Sequence, residues 1–429
     1  MRRPFSIILL SFASATALPG QAATATLTIE EAKAEALRNH PAYAAAQLRA
    51  LLARESQKEA ESAYLPTATA YADAVSTGWD NTRILAGGIN NPSVYDRVAE
   101  GIAVSQLITD FGKTRNLANG ARSEVRAANE NAEASREQIL LNAEANFLAA
   151  LQARAVVDVA RRTLDARKLL VEQVGTLAKN KLRSELDVSF AQVSLEQSEL
   201  LLQRSEGDAE SAMASLGDAL GRRDSDAMDL RDDHREAQPV PELSTLVSTA
   251  LSQRPDLMNL RYQRDAAQSL AASAKDANYP TLSAVGVAGN SFAADTHLPD
   301  KYAAAGVQLT VPIFEGGALQ ARQHEAEIRA RVADEALRQA EDDVVRDVRQ
   351  ARVEALTAYQ RLVTTRQLLR HANEALELAE ARYRVGSSSI VELSDAQLNQ
   401  TSAAIALANA EYDTRVREAV LDFETGTLH

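Results

Sequence analysis

The chain contains no cysteine. Disulfides, thiolate metal sites and a lipid carried on an N-terminal cysteine are therefore excluded. Histidine is scarce at six residues, with no pair at metal-ligand spacing, and no metal or other cofactor is expected. Aromatic residues make up only 4% of 429, whereas alanine is abundant and charged residues reach 24%. That balance suits long helices packed closely through small side chains. Proline is absent between Ser93 and Gln238 and again between Ile313 and His429. Because proline costs about 3 kcal/mol in a helix interior, both stretches are free to form very long helices. Beyond the first two dozen residues, no apolar run reaches the ~20 residues that a membrane-spanning helix needs. If this chain crosses a membrane, it does so with strands. The net charge is −13 without a basic stripe, so nucleic acid is not an expected partner. No nucleophile motif or loop cluster of carboxylates stands out, and no enzyme is expected.

Residues 1–22 read as a secretory leader. Arg2 and Arg3 supply the positive end, the stretch from Phe5 to Leu18 is apolar, and Gly20-Gln21-Ala22 offers a small-residue cleavage site. The remainder of the chain is a duplication. Ala36-Leu37-Arg38-Asn39-His40-Pro41 returns as Ala250-Leu251-Ser252-Gln253-Arg254-Pro255. At the same offset, Ala63-Tyr64-Leu65-Pro66-Thr67 returns as Ala277-Asn278-Tyr279-Pro280-Thr281. Later pairs keep a shorter offset: Asp110-Phe111-Gly112 matches Glu315-Gly316-Gly317, and Asp187-Val188 matches Glu392-Leu393. The chain accordingly divides into a first repeat over 23–225, a linker over 226–241 and a second repeat over 242–429.

Each copy carries the same order of elements. A helix is expected over 29–62 and over 242–276. Strand pairs come after it, over 65–75 with 98–108 and over 282–292 with 303–313. Alternation is clearest in the last strand, where Val307, Leu309, Val311 and Ile313 share one face and Gln308 and Thr310 the other. In copy one the matching face holds Ile102, Val104 and Ile108 but is broken by Gln106. The loop inside the first pair, 76–96, is long and carries the lone Trp79; its counterpart is short, so the extra residues of copy one sit at a loop tip, where insertion costs little. Sharp turns are expected at Gly112 and at Gly316-Gly317, where glycine permits the backbone reversal. Long helices over 113–178 and 318–383 come next, with a seven-residue apolar period: Ala355, Leu362, Leu369, Leu376 and Tyr383, matched by Ala150, Val157, Leu164, Val171 and Ala178. At ~1.5 Å per residue each is on the order of 100 Å long. Return helices over 187–220 and 392–423 are half that length, so each must stack end to end with a helix such as 29–62 to match the long one.

Four strands cannot close a barrel. Either they form a soluble sheet or several chains share one barrel, and strands of ~11 residues with an apolar face are long enough to span a membrane when tilted. A periplasmic coiled-coil adaptor or scaffold without a pore would explain the helices and heptads but not the strand pairs.

The duplicated order of helix, strand pair, long helix, tip and return helix resembles the TolC outer-membrane efflux family over nearly the whole mature chain. Pro66 and Pro280, the turns Asp110-Phe111-Gly112 and Pro312-Ile313-Phe314-Glu315-Gly316-Gly317, and the tip Tyr383-Arg384-Val385-Gly386 carry the resemblance. It implies a mainly α fold with a small β part. In it a homotrimer builds a twelve-stranded β-barrel among outer-membrane lipids on a long α-helical periplasmic tunnel. The partners it implies are a periplasmic adaptor and an inner-membrane pump, with the chain as passive conduit for efflux or type I secretion. It also implies an entrance constriction at Tyr383, Ser388, Glu392 and Asp395, where Ser388 stands in place of the family's arginine. Adaptor docking is implied at Val385 and Gly386 and at Lys181 and Leu182 in the copy-one tip.

Overall fold

The computed structural model describes residues 26–75, 97–222, 228–235, 239–293 and 300–428. The expected leader, the loop 76–96 with Trp79 and part of the linker lie outside the described residues. Each repeat opens with two helices: α1 (Ile29–Asn39) and α2 (Pro41–Ser62), then α5 (Leu243–Gln253) and α6 (Pro255–Asp276). Strands β2 (Thr67–Val75) and β3 (Arg97–Thr109) come next in the first repeat, and β5 (Thr281–Ala293) and β6 (Lys301–Thr310) in the second. The long helices α3 (Lys113–Lys179) and α7 (Ala318–Arg384) have 67 residues each. They lead into the return helices α4 (Glu185–Ala219) and α8 (Ile390–Thr425). Two short strands, β1 (Thr26–Leu27) and β4 (Asp229–Leu230), pair in parallel and tie the linker to the start of the chain.

Two expectations are corrected. The single helix over 29–62 is two helices, and so is the one over 242–276. His40 and Arg254, each followed by a proline, are extended with ψ of 118° and 121°, because the proline ring disfavours the helical region for the residue before it. Pro41 and Pro255 then begin α2 and α6, where their missing N–H is harmless. The last strand ends at Thr310 rather than at Ile313. Pro312 cannot donate to a ladder, and Ile313 beyond it is 91% exposed.

The four long strands form one antiparallel sheet in the order β2-β3-β5-β6. Its two faces differ in chemistry. Val98, Ile102, Val104, Ile108, Phe292, Val307 and Leu309 are all exposed and all lie on one face. The opposite face is mixed: Thr67, Thr69, Ala103, Ser105, Ser283, Gln308 and Thr310 share it with Leu107, Val285 and Val287. Gln106 interrupts the apolar face where the sheet meets the helices. Its amide donates to the carbonyls of Tyr64 and Leu107 at 2.8 and 2.9 Å, so it is satisfied there.

The strands hand over to the helices through backbone that only a few residues tolerate. Phe111 and Gly112 have φ of 55° and 122°, and Asp110 fixes the turn by accepting from the Thr114 N–H at 2.8 Å. A Cβ on Gly112 would stand 2.6 Å from Asp276 Oδ2. Gly316 and Gly317, at φ of 62° and 86°, make the same turn in copy two. Both expected glycine turns are present, with the left-handed geometry that glycine adopts without a Cβ clash.

The helices stand as four columns. Asn39 Nδ2 donates to the Leu220 carbonyl at 3.2 Å, so the end of α4 abuts the α1–α2 junction. Gly426 after α8 lies against Arg254 at the α5–α6 junction. The expected end-to-end stacking is thus formed in both repeats. Helix α3 runs between the α2/α4 column and the α6/α8 column, joined to them by pairs such as Arg122–Glu61, Arg161–Glu206 and Gln152–Asn409. The α6/α8 column also packs on α7, through Arg261–Glu341 and Arg417–Glu354. Column order therefore matches strand order, with α2, α3, α6 and α7 leading to or from β2, β3, β5 and β6. Along α7 the buried residues Val344, Val348, Ala351, Ala355, Ala358 and Leu362 alternate spacings of four and three, the seam expected of a heptad. Alanine at half of these sites lets backbones approach closely.

Two larger clusters sit where the columns join: one around Phe147, Leu148, Leu216 and Leu220, the other around Leu257, Val348 and Leu421. Ion pairs fasten this belt. Lys33 and Glu144 meet at 2.7 Å, and Arg222 holds Glu35 through two nitrogens. Arg415 binds Asp232 of the linker at 2.7 Å and also pairs with Asp233.

Candidate functional site: the helical tips

At the end of the columns remote from the sheet, the chain reverses twice, between α3 and α4 and between α7 and α8. The two reversals share one geometry. Lys181 and Gly386 occupy equivalent places and both have left-handed backbone, φ 58° and 78°. Their neighbours close the preceding helices alike: the Leu182 N–H donates to the Leu177 carbonyl and the Ser387 N–H to that of Arg382, each at 2.9 Å. Ser184 and Ser389 then cap α4 and α8. Glycine suits the left-handed position, but a lysine there costs roughly 1–2 kcal/mol. Leu182 and Val385 are 68% and 79% exposed, so the two tips present apolar side chains to solvent.

Glu392 and Asp395 lie on the first turns of α8, as their spacing predicts. Glu392 is held by Arg382 Nη1 at 3.0 Å, while Asp395 is exposed. The copy-one counterpart of Glu392, Asp187, is engaged instead in the capping box with Ser184. Tyr383 is 6% exposed and packs with Leu170, Val174, Ala191, Ile390 and Leu393 in a third apolar cluster beneath the tips. Burial pushes its hydroxyl pKa up, partly offset by the nearby Arg183 guanidinium. Its Oη and Ser388 Oγ are buried without a hydrogen-bond partner among the described residues.

Sequence reasoning does not single out Arg183. Its Nη2 donates to the Tyr383 carbonyl at 2.5 Å, and its guanidinium lies 4.2 Å from the centroid of that tyrosine ring. The copy-one tip thus grips the copy-two tip inside one chain, combining a charged hydrogen bond with a cation–π contact. The signal lies in the duplication. Arg183 is the copy-one partner of Ser388, so an arginine missing from one tip stands on the other.

A sheet that exposes large apolar side chains on one face, mounted on helical columns of about 100 Å, has the form of a membrane protein anchored by strands. Comparison with known proteins agrees. The outer membrane efflux protein family profile matches residues 33–222 and 246–427, and the chain belongs to that family. The outer membrane efflux protein BepC of Brucella suis is 26% identical over 97% of this chain and 88% of its own length. The outer membrane protein TolC of Escherichia coli is 28% identical over 45% of this chain and 41% of its own; the match with TolC spans less than half the relative's length. The crystal structure of CusC superposes with a TM-score of 0.79 at 20% identity, covering 93% of this chain and 92% of that one. The protein is a TolC-like outer-membrane factor, placed by its family in the outer membrane with a helical periplasmic part.

Proposed function

We propose that the chain works as a homotrimer, the outer-membrane duct of a tripartite efflux or type I secretion assembly, passively conducting cargo received from an inner-membrane pump through a periplasmic adaptor. The observation that carries this reading is that the molecule is unfinished on two sides. Among the described residues β2 and β6 end the sheet with unpaired edges, which cost too much in lipid to be left open. Three copies joined β6 to β2 would make twelve strands and remove every edge. Column order matches strand order, so the same joint would seat α7 beside the next copy's α2/α4 column and close a tunnel.

In that assembly three α8 helices would bring Glu392 and Asp395 around the axis at the tunnel mouth. These carboxylates, with Tyr383 and Ser388 beside them, form the proposed constriction. Arg382 already offsets part of the Glu392 charge, leaving the exposed Asp395 as the stronger ligand for a passing cation. The exposed tip residues Val385, Gly386, Lys181 and Leu182 are the proposed docking points for adaptor hairpins. The test is single-channel conductance of the purified protein in a planar bilayer, beside the Glu392→Ser/Asp395→Ser variant. The parent should give small, cation-selective currents that multivalent cations block from one side, and the variant should lose that block. Conductance with the block unchanged would move the constriction elsewhere, and absence of any channel would remove the duct reading.

A further inference from the structure

The sheet holds a row that the tips do not explain. Tyr71 on β2, Gly101 on β3, Gly289 on β5 and Tyr302 on β6 stand in register across all four strands. The two tyrosines, on the outermost strands, lean over the central glycines until their hydroxyls hydrogen-bond to each other. Tyr302 Oη also donates to the Glu100 carbonyl at 3.4 Å. The glycines are what permits this. A Cβ on Gly101 would lie 2.5 Å from Tyr302 Oη and 2.9 Å from Tyr71 Oη, and one on Gly289 would collide with the Tyr302 ring. The flanking rows on the same face pair the small Ala99, Ala103 and Ala304 with Thr69, Asp73 and Val287.

This face is the one opposite the exposed apolar residues, so in a barrel it faces the lumen. Side chains three strands apart meet on the concave side of a curved sheet, not on the convex side. The next row toward the loops places Glu100, Asn290 and Lys301 on the outer face, with Asn290 Nδ2 donating to Glu100 Oε1 at 3.3 Å. This polar row interrupts the apolar outer face, which resumes one row nearer the loops at Val98 and Phe292. Twelve strands ~4.8 Å apart at a tilt of ~40° close at a radius of about 12 Å, and the paired tyrosines, laid over the glycines, line that wall with aromatic rings and narrow it by their thickness.

We propose that Tyr71 and Tyr302 form an aromatic constriction inside the barrel, near its outer mouth, that binds bulky organic cations in transit. The proposal rests on the channel reading above: in a trimer it places six tyrosines at one level, a second narrow point remote from the tips. Aromatic rings attract cations through their quadrupoles, and a net charge of −13 raises the local cation concentration.

The test records single-channel currents of the full chain while tetrabutylammonium is applied from each side in turn. The parent should be blocked from the barrel side. Tyr71→Ala/Tyr302→Ala should weaken that block about fivefold, whereas Tyr71→Phe/Tyr302→Phe, which keeps the rings, should retain it. A block unchanged in the alanine variant would overturn the constriction and leave the channel reading standing; a parent that forms no channel would overturn both. A second measurement does not depend on the alanine variant folding. Because the chain has no cysteine, Tyr302→Cys gives one reactive thiol, and a charged, water-soluble thiosulfonate should change its conductance. Persistence of the parent conductance after confirmed modification, or failure of the thiol to react in an active channel, would overturn the proposal.

Discussion

Glu137 lies on α3 where the α5–α6 junction meets it, and it is 6% exposed. Burial raises its pKa to about 7, with the Asp256 and Glu133 carboxylates adding to the rise and Arg136 and Arg254 opposing it. The folded state therefore binds this proton more tightly than the unfolded chain does. Below the unfolded value of 4.5 both states are protonated and folding carries no penalty. As pH rises through the window up to about 7, the unfolded chain ionises freely while the folded one resists, and stability falls. At 1.36 kcal/mol per unit the loss is on the order of 3 kcal/mol. Glu137→Gln should remove it, raising Tm at pH 8 while leaving pH 5 nearly unchanged. Thermal unfolding of the purified protein at both pH values decides the matter: an equal pH response in parent and variant would show that Glu137 is not the group responsible. Nothing in the sequence marks this glutamate among 59 acidic residues, because its state depends on what the α5–α6 junction places against α3.

At the scale of elements, the tips show how two reversals remote in sequence become one site. Arg183 belongs to the α3–α4 turn and Tyr383 to the end of α7, and their contact is the direct tie between the two reversals. A hydrogen bond from a charged donor contributes about 1.5–3 kcal/mol, enough to hold one dominant arrangement. Arg183→Ala should broaden and lengthen the distance between the tips. Paired spin labels on Leu182→Cys and Val385→Cys, both at exposed positions, read that distance without interference from native thiols. An unchanged distribution would mean that the apolar cluster under Tyr383 holds the tips by itself. The long helices are legible in the sequence because no proline interrupts them and a seven-residue spacing of buried positions runs along α7 from Ala330 to Ala379. The interruptions at Pro41 and Pro255 are not, since proline is compatible with a first helical turn and leaves the apolar pattern intact on both sides. Glu392 and Asp395 can be placed on one helix from spacing alone, but the Arg382–Glu392 pair cannot, because it depends on how α7 and α8 face each other across the turn.

For the whole molecule, exposed apolar side chains are unevenly spread over the columns. Those on α2 and α4 include Leu48, Leu52, Leu186, Phe190, Val193 and Leu200; those on α7 include Ile328, Val332, Val353, Leu368 and Leu378. Among the described residues the two inner columns expose far fewer, chiefly Leu117 and Leu169 on α3 and Val391 and Leu398 on α8. The excess sits on the two columns that border the open edges of the sheet. A large apolar patch on a soluble surface usually marks an interface, and here the strand edges and the helical flanks point to the same joint. Leu48 and Leu52 are 65% and 69% exposed one helical turn apart, far from the sheet and from the tips. Replacing both with aspartate should leave each copy folded, because both are largely exposed within their own chain. It should cost each joint the transfer free energy of two leucines, about 1.5–3 kcal/mol apiece, with charge repulsion added. Detergent-solubilised Leu48→Asp/Leu52→Asp protein should then dissociate to monomers with unchanged helical content, measured by light scattering and circular dichroism. If the variant kept the parent's mass, the flanks would face solvent or another partner, and the strands alone would have to hold the copies together.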